Sequence, residues 1–148
     1  RAAEQYAASL AAGENPGALR GLALLADDDR ACDLYARARR LRPDCRGLAV
    51  EHLERLLAAG RPGDCLDAIA ALDPAMREHG RTRLLEARAR LAEGERERAA
   101  GIMESLVVED LAEGDTVLGE VWDALHPGAA LPPHLDFRMT DTGGAGDG

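Results

Sequence analysis

The chain repeats itself every 34 residues. Ala26, Gly60, Gly94 and Gly128 form one such series of small residues. Ala31, Cys65 and Ala99 form a second, Tyr35, Ile69 and Met103 a third, and Ala38, Leu72 and Leu106 a fourth. Upstream of each glycine position, Leu19, Leu53, Ala87 and Val121 align at the same spacing, as do Ala23, Leu57, Leu91 and Leu125. A constant period of this length marks a stack of similar supersecondary units, each too small to bury its apolar face alone. That requirement constrains the fold more than any single helix does.

Helical patterns fill the period. Residues 2–12 predict a helix with Tyr6 and Leu10 on one face, stopped at Gly13. Asn15-Pro16 is a start signal for a helix over 16–26. Asp27, Asp28 and Asp29 predict an acidic turn ahead of a helix over 29–42, which ends in Arg39, Arg40 and Arg42 and is closed by Pro43. A helix is expected over 45–59, then a turn Gly60-Arg61-Pro62-Gly63, then a short helix ending at Asp73-Pro74. Residues 76–93 and 95–109 predict a further antiparallel pair around Gly94, and 115–125 a last helix. The organisation follows: residues 1–13 as a lone amino-terminal helix continuing an upstream region, 14–110 as three helix pairs, and 111–128 as a capping helix. Pro127, Pro132 and Pro133 forbid a regular second helix in the fourth unit. Over 129–148, the expectation is an extended LPPHLDFRM segment and a disordered tail with nothing to bury. The alternating Leu135, Phe137 and Met139 predict docking on an apolar groove, in the first instance on the chain's own last helices around Trp122, with an upstream domain or a second copy of the chain as the alternatives.

The second-helix positions resemble the tetratricopeptide repeat family. Ala31, Tyr35, Ala38 and Pro43 match its small, large, small and proline positions, and the spacings Gly60 to Cys65 and Gly94 to Ala99 match its glycine-to-alanine step. The family's first-helix Trp, Leu and Tyr are not met at Asn15, Ala18 or Leu22, and Arg77 and Leu111 replace Pro43 in later units. The resemblance covers about residues 12–128 and implies an all-α, tetratricopeptide-like helix-turn-helix solenoid with a binding role. A narrower likeness lies in EDLAEGDTVLGEVW followed by LPPHLDFRM. This is similar to the carboxyl end of a bacterial family of unknown function, in which a mutarotase-like, β-rich region precedes the repeats. It implies that such a region lies upstream of Arg1, with the repeats as an accessory to carbohydrate chemistry. The chain begins at Arg1 rather than Met and is expected to be part of a longer protein.

Composition narrows the partners. All 18 basic residues are arginine, as GC-rich bacterial genomes favour, and the net charge is −9. An acidic chain repels phosphate, which argues against a nucleic-acid partner. No apolar run approaches the ~18 residues of a membrane span, and no basic, apolar leader is present. The three cysteines form no CxxC, and Cys65 shares its series with alanines, as a small buried thiol would. Nothing implies an oxidising compartment, so a cytoplasmic location is expected.

No cofactor or metal site is expected. His52 has Leu56, not a ligand, one turn on. His79, His126 and His134 are isolated, and Asp27–Asp29 lack the ligand spacing of a calcium loop. No catalytic set can be assembled from these spacings. Arg20, Glu54 and Arg88 occupy equivalent first-helix positions and, with Glu51 and Arg81, form a candidate partner-binding groove of mixed charge. The competing reading is a solvated helix face, which is also the simplest account of the interleaved run Arg81–Arg98 with Glu86, Glu93, Glu95 and Glu97. The reading of the whole is a non-catalytic scaffold for a protein or peptide, or for an upstream domain of the same chain. Homo-oligomerisation through apolar end faces, as in a homodimer, is the other alternative.

Small residues at Ala31, Cys65 and Ala99 let paired helices approach to within the ~8–10 Å of close packing. Ala99→Leu is therefore expected to overpack its contact and lower stability by ~1–3 kcal/mol, measured by urea unfolding.

Overall fold

A computed structural model describes residues 4, 5, 13, 15–106, 114–132, 134 and 135. These residues are helical or in turns, and no strand occurs among them. The chain divides into two compact units, Arg1–Leu72 and Asp73–Gly148.

The first unit holds α1 (Pro16–Leu25), α2 (Asp28–Leu41), α3 (Arg46–Ala58) and α4 (Pro62–Ala70). Asn15 caps α1 through a 2.7 Å bond from Ala18 N–H to its Oδ1, and Pro16 opens the first turn. Asp27 caps α2 by accepting from Arg30 N–H at 2.9 Å. Asp28 and Asp29, expected in the turn, lie in the first turn of α2, where their charge suits the positive helix end. Each helix packs on the next in sequence. Leu19, Ala23, Ala31, Leu34, Tyr35, Ala38 and Leu48 form one buried cluster.

The second unit holds α5 (Pro74–Glu78), α6 (Gly80–Ala92), α7 (Arg96–Glu104) and α8 (Gly114–Leu125). Leu84, Ala87, Ala99, Ile102, Met103, Leu106, Leu118, Val121, Leu125 and Leu135 form its core. The uninterrupted helix expected over 76–93 is broken. His79 adopts an extended conformation (φ −62°, ψ 137°) that ends α5, and the poor helix former Gly80 begins α6.

The 34-residue period recurs in the helix boundaries. The helices α2, α4 and α7 begin at residues 28, 62 and 96, while α3, α6 and α8 begin at 46, 80 and 114. Gly60, Gly94 and Gly128 all have left-handed backbones, with φ of 71°, 82° and 77°. After α3, Gly60 N–H bonds Leu57 C=O and Arg61 N–H bonds Leu56 C=O. After α6, Gly94 N–H bonds Leu91 C=O and Glu95 N–H bonds Arg90 C=O. Both are the same Schellman closure. After α8 the closure is different: Pro127 lacks the N–H with which Ala59 and Glu93 continue the helical bonding, Gly128 N–H reaches Asp123 Oδ1, and Ala129 N–H bonds His126 C=O. Ala26, the first of the series, is an ordinary cap (φ −94°), because only Ala26 and Asp27 separate α1 from α2.

Two further expectations need correction. Pro62 and Gly63 lie inside the first turn of α4 rather than in the preceding turn, since proline is pre-set for that position. The segment after α8 is not extended throughout: Leu135 N–H bonds Pro132 C=O in a tight turn. That turn buries Leu135 fully in the second unit's own core. His134 Nε2 donates to Met103 C=O at 3.1 Å, and Trp122 Nε1 donates to Ala130 C=O at 3.1 Å. The amino-terminal helix is described only at Glu4 and Gln5, both helical. Tyr6, Leu10, Phe137, Met139, residues 107–113 and the tail from 140 lie outside the described residues.

Glycine substitutions separate the two backbone environments. Gly94→Ala forces a Cβ into a left-handed backbone and should cost about 1 kcal/mol. Gly101→Ala, in mid-helix with open space around it, should gain ~0.5–1 kcal/mol in thermal unfolding.

Candidate functional site

The richest polar cluster lies in the first unit, where α1, α2 and α3 meet. Glu51 on α3 is its centre. Arg20 of α1 donates to it from Nε, at 2.8 and 3.1 Å to its two carboxylate oxygens, and from Nη2 at 2.7 Å. The Tyr35 hydroxyl of α2 also donates to Glu51. Arg20's hydrogen bonds, reinforced by Tyr35 and opposed by burial, hold the Glu51 carboxyl below its usual range. The reciprocal effect acts on Tyr35. Burial, then the Glu51 charge, pushes its phenol up to about 12. One turn further along α3, Arg55 Nη1 meets Asp28 Oδ1 of α2 at 3.1 Å.

His52, beside Glu51, faces differently. It is buried, with its ring stacked on Tyr35 at a centroid distance of 6.4 Å. Arg39 Nη1 of α2 lies 2.9 Å from its Nδ1. A guanidinium only donates, so Nδ1 is the acceptor and the ring proton sits on Nε2. Burial, with the charges of Arg39 and Arg61 beside it, lowers the His52 pKa to about 4.

The five sequence-predicted groove residues divide between the units. Arg20 and Glu51 form the ion pair just described, with side chains 47% and 31% exposed. Glu54, one position before Arg55 on α3, is exposed. Arg81 and Arg88 belong to α6 of the second unit, where Arg81 is half-buried and Arg88 exposed. The basic run around them is laced with ion pairs: Arg83–Glu78 at 3.6 Å, Arg90–Glu86 at 3.0 Å, and Arg90 and Arg98 to Glu95 at 3.2 and 2.9 Å. The exposed Arg98–Glu95 pair contributes ~0–1 kcal/mol, while Arg83 and Arg90 are partly buried. Sequence reasoning missed Tyr35 as a hydrogen-bond donor, Arg39 and His52. The available signal for Tyr35 was its place in a series otherwise filled by Ile69 and Met103, since a buried phenol needs a polar partner.

Among the described residues no group of three or more His, Cys, Asp or Glu is placed to hold a metal ion. Burial pushes the Cys32 thiol up, which keeps it protonated and unreactive. No described helix is long and apolar enough to cross a membrane. Comparison with protein-family models, with curated proteins and with solved structures finds no match to this chain.

The cluster has a defined pH response. The folded His52 value lies below the ordinary 6.5, so folding favours the neutral ring. That contribution is complete above about pH 6.5 and is lost as pH falls towards 4. It amounts to about 3 kcal/mol. His52→Gln keeps an acceptor for Arg39 but cannot titrate, so urea midpoints of that variant should fall less steeply over this window.

Proposed function

We propose that this chain is a non-catalytic interaction module of the tetratricopeptide kind, part of a larger bacterial protein. It would present the exposed faces of its first helices to a peptide, a partner protein or an upstream domain of the same chain. The observation that carries this reading is the recurrence of one helix-turn-helix design at a 34-residue spacing. The left-handed glycine closure recurs at Gly60 and Gly94, and the fully buried small residue recurs at Ala31, Cys65 and Ala99. Repeats of this size expose the polar face of each first helix, and here Arg20, Glu54 and Arg88 are exposed at equivalent places. The polar cluster fits the same reading. Its carboxylate is engaged by Arg20 and Tyr35, and its imidazole by Arg39, which is the chemistry of a joint between helices.

Self-association is the second reading, favoured by Leu24 and Leu25 of α1, which are 49% and 58% exposed. Affinity capture on the immobilised chain, quantified by mass spectrometry, separates the two. The double variant Glu54→Arg, Arg88→Glu should lose a defined set of captured proteins at least about tenfold, given ~1.4 kcal/mol per tenfold change. An unchanged set removes the first-helix surface from the proposal. Capture of the chain's own copies alone, with a concentration-dependent sedimentation coefficient, selects self-association.

A further inference from the structure

We propose that Arg39 and His52 form a receptor for one oxyanion group, a carboxylate or a phosphate, where the α2–α3 contact meets solvent. Arg39 is partly buried, and its hydrogen-bond partner is the neutral His52 ring. Among the described residues no carboxylate lies within ion-pair distance of it. Four other partly buried arginines set the contrast. Arg55 meets Asp28, Arg61 meets Asp64, Arg83 meets Glu78, and Arg90 meets both Glu86 and Glu95. A guanidinium carries five donors in a planar fork suited to bidentate oxyanions, and Arg39 spends one on the imidazole. Burial, with no acidic neighbour to offset it, disfavours the Arg39 charge.

Of the described cations around His52, Arg39 is the one whose hydrogen-bond partner is neutral. Arg39 and Tyr35 face it from α2, and Arg61, which is paired with Asp64 at 2.8 Å and Asp29 at 3.9 Å, acts on it from the turn leading into α4. On its own helix, Glu51 is engaged by Arg20 and Tyr35, and Arg55 by Asp28. A bound oxyanion would supply Arg39 with the anionic partner that Arg20, Arg55 and Arg61 already have. On binding, the Arg39–His52 bond opens, His52 Nδ1 takes one proton from solvent, and the anion accepts from both Arg39 Nη1 and the new Nδ1–H. Binding is thus coupled to uptake of one proton. The site is built within the first unit and does not depend on the scaffold reading, so either can fail alone.

The test is an NMR titration of the intact chain with sodium phosphate and, separately, sodium acetate, each against sodium chloride at matched ionic strength. The expected result is a saturable shift of the His52 ring nitrogens and the Arg39 Nε–H signal beyond that in chloride. The more effective anion tells phosphate from carboxylate. Affinity should tighten by up to about tenfold per pH unit between pH 7 and 5, and His52→Gln should abolish that dependence. Arg39→Gln should abolish the shift, and Arg39→Lys, which keeps the charge and the fold, should retain a weakened one. A response no larger than chloride's overturns the proposal, as does one that survives Arg39→Gln.

Discussion

Close approach at a single small side chain sets the dimensions of each helix pair. Ala31, Cys65 and Ala99 are fully buried, and a larger group there would push the paired helices apart. Once the separation is fixed, the large neighbours have a defined volume to fill. Tyr35 and Leu34 fill it in the first unit, Met103 and Leu106 in the second, and all four are within 1% of complete burial. The glycine closures depend on the same spacing. A Schellman turn after α3 and α6 returns the chain within three residues, so the following helix begins close enough to pack.

The first unit adds a polar joint to this frame. Glu51 ties α3 to α1 through Arg20 and to α2 through Tyr35, while Asp28–Arg55 and Arg39–His52 complete the α2–α3 contact. Apolar packing alone is tolerant of sliding, but a bidentate arginine-carboxylate contact and a buried phenol hydrogen bond are met in one register only. Among its described residues, the second unit fastens its elements at helix ends instead. Arg96 donates to the last carbonyl of α8, Leu125 C=O, and His134 donates to Met103 C=O at the end of α7.

The all-helical class and most helix positions were legible because caps and period are local signals. Asn15-Pro16, Asp27 and the glycines at 60 and 94 act on residues within a few positions, and each acts as its chemistry dictates. The break at His79 was not legible, because apolar periodicity runs through it and only the backbone reveals the extended residue. The polar cluster was half legible. Arg20 and Glu51 were picked out by their place on first helices, yet their mutual bond spans 31 residues and follows from α1 and α3 both packing on α2. Arg39 read as a charge suited to a helix end. That its guanidinium turns inward to His52 depends on the neighbouring helix, which no local pattern encodes.

The repeated left-handed glycine has a kinetic consequence. Within each unit, the packed helices are near neighbours in the chain, and the turns at Gly60 and Gly94 are closed by hydrogen bonds spanning three and five residues. Closing such short loops costs little chain entropy, so the barrier to forming a helix pair is low. Each pair can be assembled from a contiguous stretch as it leaves the ribosome, without waiting for distant sequence.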